Sequence, residues 1–310
     1  MPRQLPFSRI LHADWSKDAA KRWVASARRE NNNWVVDAPH LVGDISSFLD
    51  DLFKEPEPTL TGFDFPIGLP HAYGAATNLT NFPSALEVFG TGAWSDFYRV
   101  AERSDEVTIH RPFYPQRPGT TSQSHLLAGL GVQTMNELRR HCELPTGSRR
   151  AAGSIFWTLG GNQVGKAAIS GWREVIAPAR KRGAKLWPFD GALASLVKSG
   201  KPVLAETYPA EAYGHVGVRF GTTGGKTSQS GRQEAVRNLG AWARNAAVTF
   251  STDLQSAITD GFGPAKSGED PFDALMGLLG MIEVADGRRS EGPPSVIGAR
   301  WEGWILGQAE

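Results

Sequence analysis

The stretch SRILHADW, residues 8–15, decides the fold of this chain because it places an acid at the end of a short apolar run. Ile10 and Leu11 fall on opposite sides of an extended backbone, and the residues after them continue the alternation. Apolar residues on both sides are typical of a strand buried on both faces. We therefore predict a central strand that ends at Asp14.

Working outward from that strand, four further patterns define the first seventy residues. KRWVASARRE (21–30) and NNNWVVDAP (31–39) are strand candidates joined by turn-forming asparagines. ISSFLDDLF (45–53) has its apolar residues on one helical face, and PTLTGFDFPIGLP (58–70) is again strand-like, with Asp64 at its end. The predicted order is β-β-β-α-β, with an acid after the first and fourth strands.

The pattern changes after residue 70. Residues 71–200 alternate Pro-rich stretches with short helical patterns and show no clear strand, which favours an inserted, mainly helical lobe. KPVLAE (201–206) resumes the strand pattern and closes with Glu206. We therefore expect an α/β core built from residues 1–70 and 201–310, with the lobe between them.

Two helices are predicted in the C-terminal part of the core. SGRQEAVRNLGAWARNAA (230–247) has a candidate cap at Ser230. DPFDALMGLLGMIEVADG (270–287) has Asp270 as a candidate cap and a proline at its first position. The second helix is strongly apolar, so it should pack on the sheet.

Composition excludes several classes of protein. Lys and Arg number 33 against 32 Asp and Glu, so no global field draws the chain to nucleic acid or an anionic membrane. The single cysteine, Cys142, excludes an internal disulfide framework and Cys-rich metal sites. No stretch reaches the length of a membrane span, and no signal peptide is evident. We expect a cytoplasmic protein that does not enter a membrane.

Four acids are candidate metal ligands. Asp14, Asp64 and Glu206 each follow a strand pattern, and strand ends that meet at one edge of a sheet would bring their carboxylates together. Asp273 lies in the apolar helix sequence, where an unpaired charge is costly and requires a partner such as a metal. Carboxylates are the ligands that Mg²⁺ and Mn²⁺ prefer, so the four predict a divalent-cation site.

Six short motifs, in order from about residue 10 to residue 306, resemble the DUF429 group of predicted RNase H-fold nucleases. They are ADWS, GFDFPIGLP, AETYPAEAY, GGKTSQSGR, EDPFDALMGLL and GARWEGWIL. The resemblance implies an RNase H-like mixed sheet flanked by helices. It also implies hydrolysis of phosphodiester bonds, with nucleic acid as the partner.

The resemblance also assigns roles to particular residues. It implies metal-ligand roles for the four acids above, with Mg²⁺ or Mn²⁺ as cofactor. Tyr208 and Glu211 match the family's Pro-Glu segment, and Lys226 and Arg232 match its Lys-Thr and Gly-Arg segment. We expect Lys226 to act on the scissile phosphate, and all four of these residues to contact the substrate or support the site.

Other sequence features leave alternatives open. HRPFYPQRP (110–118) and RRHCELPTGSRR (139–150) combine basic residues with aromatic or polar ones and could line a nucleic-acid groove, although such runs are more often solvated faces. GTTGGKT (221–227) ends like a phosphate-binding loop, but its glycines are too closely spaced. An ATP-using enzyme of the same broad fold and a non-catalytic binding module remain as competing hypotheses.

Overall fold

The computed structural model describes residues 4–54, 57–146, 150–159, 164–222 and 224–310. Its centre is one mixed sheet of eight strands. The strands are β1 (Arg9–Asp14), β2 (Trp23–Glu30), β3 (Asn33–Val36), β4 (His40–Leu41), β5 (Thr59–Phe63), β6 (Lys185–Leu186), β7 (Val203–Glu206) and β8 (Val248–Phe250).

The strand order is β6-β7-β5-β1-β2-β3-β8, and β4 pairs with β2 beside this path. β6, β7, β5 and β1 are parallel neighbours, β2 is antiparallel to both β1 and β3, and β8 runs parallel to β3. The predicted order β-β-β-α-β over the first seventy residues is confirmed in this mixed α/β fold, except that the two-residue strand β4 lies between β3 and the helix at 45–54. The parallel arrangement places the ends of β1, β5 and β7 at one edge of the sheet.

Helices cover both faces of the sheet and are the main regular structure of residues 71–200. They are α1 (Ile45–Lys54), α2 (His71–Ala76), α3 (Phe82–Val88), α4 (Gln123–Leu130), α5 (Val164–Gly171), α6 (Ala177–Lys181), α7 (Leu193–Leu196), α8 (Pro209–His215), α9 (Gln229–Ala235), α10 (Leu239–Asn245), α11 (Thr252–Asp260) and α12 (Glu269–Ala285). A π-helical segment, Trp172–Ile176, joins α5 to α6.

Two hydrophobic clusters lie on opposite faces of the sheet. Leu11 belongs to a cluster that includes α1 and the aromatic residues of the lobe, whereas Ile10 belongs to a cluster that includes α12. Successive residues of a strand point to opposite faces, so the sequence alternation in β1 separates the two clusters. We call them the lobe face and the α12 face.

Helix α12 approaches β1 closely because Gly277 carries no side chain. A Cβ atom at Gly277 would lie 2.2 Å from the buried ring of His12. The ring is itself fixed, because its Nδ1 contacts the Ala274 carbonyl at 2.9 Å and its Nε2 contacts the Thr207 hydroxyl at 2.8 Å. The helix that carries Asp273 is therefore held against the strand that carries Asp14.

Several elements differ from the sequence predictions. The predicted helix 230–247 is two helices, α9 and α10, and the cap of α9 is Ser228 rather than Ser230. Helix α12 begins at Glu269 after Gly268, so Asp270 lies in its first turn rather than capping it. The short strands β4, β6 and β8 were not predicted, since two or three residues give too little alternation to recognise.

Strand β6 shows that the predicted lobe is not separate from the core sheet. It falls within residues 71–200 yet pairs with β7 through Lys185 and Leu186. The end of the predicted insertion therefore contributes an edge strand to the core sheet.

No helix within the described part of the chain is both long and apolar enough to cross a membrane.

Candidate active site

Asp14 and Asp64 occupy equivalent positions on neighbouring strands. In the parallel pair β1 and β5, Ala13 is opposite Phe63. The next residue on each strand is an aspartate, and both aspartates are directed to the α12 face. The predicted meeting of these two strand-end acids is confirmed.

The two carboxyl groups are hydrogen-bonded to each other, and this changes their acidity. Burial, followed by the charge of Asp64, raises the pKa of Asp14 well above its usual range. Burial raises the pKa of Asp64 to about 7, although the backbone N–H of Trp15 donates to its Oδ1 at 2.7 Å and opposes the shift. Two carboxylates this close cannot both ionise without cost, so the pair holds a proton or requires a cation.

Helix α12 adds acids to the same place. Asp273 is 6% exposed, and its charge and that of Asp270 both raise the pKa of Asp14, which places them beside it. Lys226 reaches Asp273 Oδ2 with its Nζ at 2.6 Å and also contacts Glu269 at 2.9 Å. The buried charge of Asp273 thus has its partner, which in this structure is an ammonium group.

A tyrosine that the sequence analysis did not identify completes this contact. The hydroxyl of Tyr213, on α8, donates to Asp273 Oδ1. Burial raises the pKa of Tyr213, and the Asp273 charge adds to the shift, so this hydroxyl stays protonated. Its position at the end of the AETYPAEAY pattern was not a signal, because that segment contains two tyrosines and only packing selects between them.

Glu206 does not join this cluster, and the register of the strands gives the reason. Phe63 is opposite Glu206 in the pair of β5 and β7, so it is Thr207 that lies level with Asp64. A shift of one residue turns a side chain to the other face of the sheet. Glu206 therefore points to the lobe face.

On that face Glu206 is neutralised by an arginine from the lobe. Arg140 Nη2 donates to Glu206 Oε1 at 2.6 Å and Arg140 Nη1 donates to Oε2 at 2.5 Å. The backbone N–H of Ile67 donates to Oε2 at 2.6 Å, and Arg140 also pairs with Glu143 at 2.8 Å. With both oxygens bound in this way, Glu206 is a structural partner of Arg140 in this arrangement, and the predicted metal-ligand role is not supported by its position.

Arg232 is also placed away from a substrate. Its side chain is fully buried, and its guanidinium group donates to three backbone carbonyls, those of Gly261 (2.8 Å), Gly263 (2.7 Å) and Lys226. The predicted phosphate contact is replaced by a support function, because these bonds hold the loop that presents Lys226. The sequence around Arg232 does not distinguish an arginine that binds phosphate from one that holds a loop in place.

The two residues predicted from the Pro-Glu segment lie at the start of α8. Tyr208 precedes the helix and is 45% exposed, so it is accessible to a ligand. Glu211 lies in the first turn and accepts a hydrogen bond from Gln308 at 3.4 Å. Neither residue contacts Asp273 in the way that Tyr213 does.

A histidine and a threonine lie next to the acidic cluster, and neither was predicted as a site residue. His12 donates from Nδ1 to the Ala274 carbonyl, so its Nε2 accepts from the hydroxyl of Thr207. Burial lowers the pKa of His12 to about 4, which keeps the ring neutral. A neutral, doubly bonded ring adds no charge beneath Asp14.

The proposed aromatic groove around residues 110–118 is not formed. Phe113 and Tyr114 are buried in the lobe core, and Arg111 pairs with Glu106 at 3.2 Å. Apolar burial of the rings outweighs their exposure for stacking. In the second basic segment, residues 147–149 lie outside the described residues.

Cys142 is buried, and burial raises the pKa of its thiol.

Among the residues that the structure describes, no group of three or more His, Cys, Asp or Glu side chains is arranged to hold a metal ion. The acids at the α12 face are close enough to shift one another's pKa values, but Lys226 occupies the position beside Asp273. Comparison with known proteins adds no relative, since no family model, curated protein or solved structure matches the chain.

Proposed function

We propose that this protein hydrolyses phosphodiester bonds in nucleic acid, with a divalent cation bound at Asp14 and Asp64. The observation that carries the proposal is the hydrogen-bonded pair of these two aspartates, whose pKa values are both raised. Such a pair is costly unless something neutralises it, and strongly perturbed acids of this kind cluster at functional sites.

The donor atoms suit Mg²⁺ or Mn²⁺. Both ions prefer carboxylate oxygens, and Asp270 or Asp273 from α12 would supply a third ligand. Binding requires the proton shared by Asp14 and Asp64 to leave. It also requires Lys226 to give up its contact with Asp273 where Asp273 is the third ligand.

The cation and the surrounding residues have different roles in the proposed reaction. The bound cation supplies activation of water and stabilisation of the charge that develops on the leaving oxygen. Lys226 is half-buried, and once released from Asp273 its ammonium group is free to contact a phosphate. Tyr213 and the neutral His12 hold α12 and β1 in place by the hydrogen bonds described above.

The fold supports the same proposal. The opening β-β-β-α-β order, with one antiparallel strand beside β1, agrees with an RNase H-like core, and the sequence resembles the DUF429 group of predicted nucleases. Asp14, Asp64 and Asp273, three of the acids to which the resemblance gives metal-ligand roles, lie together at one edge of the sheet. A cytoplasmic location is part of the proposal.

The test is a thermal shift assay with and without Mn²⁺ on the wild type, on Asp14→Asn and on Asp37→Asn. Asp37 is an exposed aspartate outside the acidic cluster, so its variant is a matched control for the loss of one carboxylate. We expect Mn²⁺ to stabilise the wild type and the control but not Asp14→Asn.

The same proteins are then assayed on labelled single-stranded DNA, duplex DNA and an RNA–DNA hybrid. We expect cleavage of at least one substrate by the wild type and the control, with loss of cleavage in Asp14→Asn. No response to Mn²⁺ and no cleavage would overturn the proposal and favour a binding module without catalysis.

A further inference from the structure

The net charge of the chain is near zero, but positive and negative residues are distributed unequally between residues 71–200 and the rest of the chain. Residues 71–200 contain fifteen Lys and Arg against nine Asp and Glu, whereas the rest of the chain contains eighteen against twenty-three. The acidic cluster thus lies on the negative part, and the lobe beside it is positive. A polyanion that approaches the acidic edge would be attracted by the lobe.

The seam between the lobe and the end of β1 is fixed by specific contacts. Trp15, which follows Asp14 and points to the lobe face, donates from Nε1 to Ser170 Oγ at 3.0 Å. Arg22 lies 4.2 Å from the Trp15 ring centroid and pairs with Glu174 at 2.7 Å. The loop after β1 is therefore attached to α5 and to the helical turns that follow it.

Two lysines lie together along this seam. Lys166 is one helical turn before Ser170, so it shares the face of α5 that meets Trp15. Lys17 follows Trp15 by two residues and is exposed. Partial burial, followed by the Lys17 charge, lowers the pKa of Lys166, which agrees with the placement of both lysines along this seam.

Nothing in the described part of the chain compensates the repulsion between these two charges with an ion pair. Lys166 Nζ donates to the backbone carbonyl of Gln116 at 3.2 Å, which satisfies one hydrogen but supplies no full negative charge. A third lysine, Lys21, lies within electrostatic range of Asp270 on the other side of the same loop. The strand edge therefore carries acids on its α12 side and ammonium groups on its lobe side.

We propose that Lys17 and Lys166 together bind a backbone phosphate of a nucleic acid strand next to the acidic cluster. This inference rests on the proposed function and deepens it by assigning the site a substrate class and two substrate-binding residues. An ammonium pair without an acidic partner matches a phosphate, whose charge would relieve the repulsion. A ligand that contacts both sides of the strand edge must carry more than one phosphate, which favours a polynucleotide over a small phosphoester.

The experiment measures binding without cleavage. A fluorescein-labelled 20-nucleotide single-stranded DNA is titrated in EDTA with the wild type, Lys17→Gln, Lys166→Gln and the double variant, and fluorescence anisotropy is recorded at several salt concentrations. Lys198→Gln is the matched control, because Lys198 is an exposed lysine of the same lobe in a different helical segment.

The double variant should lower affinity about eightfold at 50 mM salt and reduce the slope of log K against log salt by about 0.7, the change for one phosphate contact on a single strand. Each single variant should change both quantities in the same direction by a smaller amount. Lys198→Gln should leave both quantities unchanged. Equal affinities and slopes in all variants, or no binding by the wild type, would overturn the inference.

A second measurement separates this inference from the proposed function. The thermal response to Mn²⁺ is recorded for the same variants, and we expect Lys17→Gln and Lys166→Gln to keep the wild-type response. If the DNA affinity depends on the two lysines but no protein responds to Mn²⁺, the phosphate contact stands and the hydrolytic function fails. If Mn²⁺ acts normally but DNA binding does not depend on the lysines, the phosphate contact fails alone.

Discussion

The end of the central sheet carries acids on both of its faces, and the environments of these acids differ between the two faces. On the lobe face, Glu206 accepts from both terminal nitrogens of Arg140. On the α12 face, Asp14 and Asp64 share a hydrogen bond with each other and lie beside Asp273. Glu206 is therefore a carboxylate paired with a positive charge from the protein. Asp14 and Asp64 are a pair of carboxyl groups without a full positive counter-charge.

This difference separates a structural acid from a candidate functional acid. Burial raises the pKa of Glu206, and Arg140 opposes that shift, so the charge of Glu206 is used to dock the lobe on the core. Burial also raises the pKa of Asp14, and there the neighbouring charges add to the shift. A site that is costly to ionise on its own is one that a cation can stabilise.

The largest expected effect comes from breaking the lobe-face pair. Arg140→Met leaves the carboxylates of Glu206 and Glu143 buried without their cation, and should reduce the free energy of unfolding by about 3–5 kcal/mol. Urea denaturation at pH 7 measures it. The double variant Arg140→Met/Glu206→Gln should recover part of the loss, and a single-variant loss below about 1 kcal/mol would contradict the description of this pair.

The next effect tests how closely α12 must approach the acidic face. Gly277→Ala forces a methyl group against the fixed His12 ring and should cost about 1–3 kcal/mol of unfolding free energy. Gly240→Ala is the control, because the nearest atom to a new Cβ there is Arg244 Nη1 at 3.8 Å. That change, in α10, should be neutral or stabilise by up to about 1 kcal/mol. Equal effects in the two variants would mean that close packing at Gly277 is not required.

A third prediction contrasts the two faces directly by neutralising one acid on each. In metal-free buffer at pH 8, Asp14→Asn should raise the melting temperature by about 2 °C or more, and Glu206→Gln should lower it. The signs differ because Asp14 loses only repulsion, whereas Glu206 loses its bond to Arg140. A fall in both variants would show that Asp14 is as well compensated as Glu206.

The pH dependence of stability should distinguish the same two variants. The folded-state pKa values of Asp14 and Asp64 are raised, so the folded protein holds more protons than the unfolded chain above about pH 4. Wild-type stability from this pair is present below about pH 4 and is lost as pH rises towards and beyond about 7. Asp14→Asn should flatten that loss in metal-free thermal melts, while Glu206→Gln should leave it in place.

The smallest expected effect is at Lys226. Its side chain is 39% exposed, so the pairs with Asp273 and Glu269 are partly screened by solvent, and Lys226→Gln should cost less than about 1 kcal/mol of unfolding free energy. The same variant should bind Mn²⁺ more tightly in a thermal titration, because the ammonium group no longer occupies the position beside Asp273. Weaker Mn²⁺ binding would contradict that competition.

The sequence by itself determined the opening of the fold and three acids of the acidic cluster. Alternation in β1, β2 and β3 and the one-sided helix α1 are local patterns, so they could be predicted from periodicity. Asp14 and Asp64 were found because each follows an apolar strand. The apolar α12 and its buried Asp273 were visible in the same way, since a charge inside an apolar run needs a partner.

Only the tertiary structure decided what each acid faces. Register between β5 and β7 is set by long-range pairing, and one residue of shift sends Glu206 to the lobe face and Thr207 to the α12 face. The partner of Glu206, Arg140, is 66 residues away in the chain, and no local pattern connects them. Likewise, Lys17 and Lys166 lie along one seam only because the lobe docks on the end of β1, so sequence patterns could supply the charges but not their neighbours.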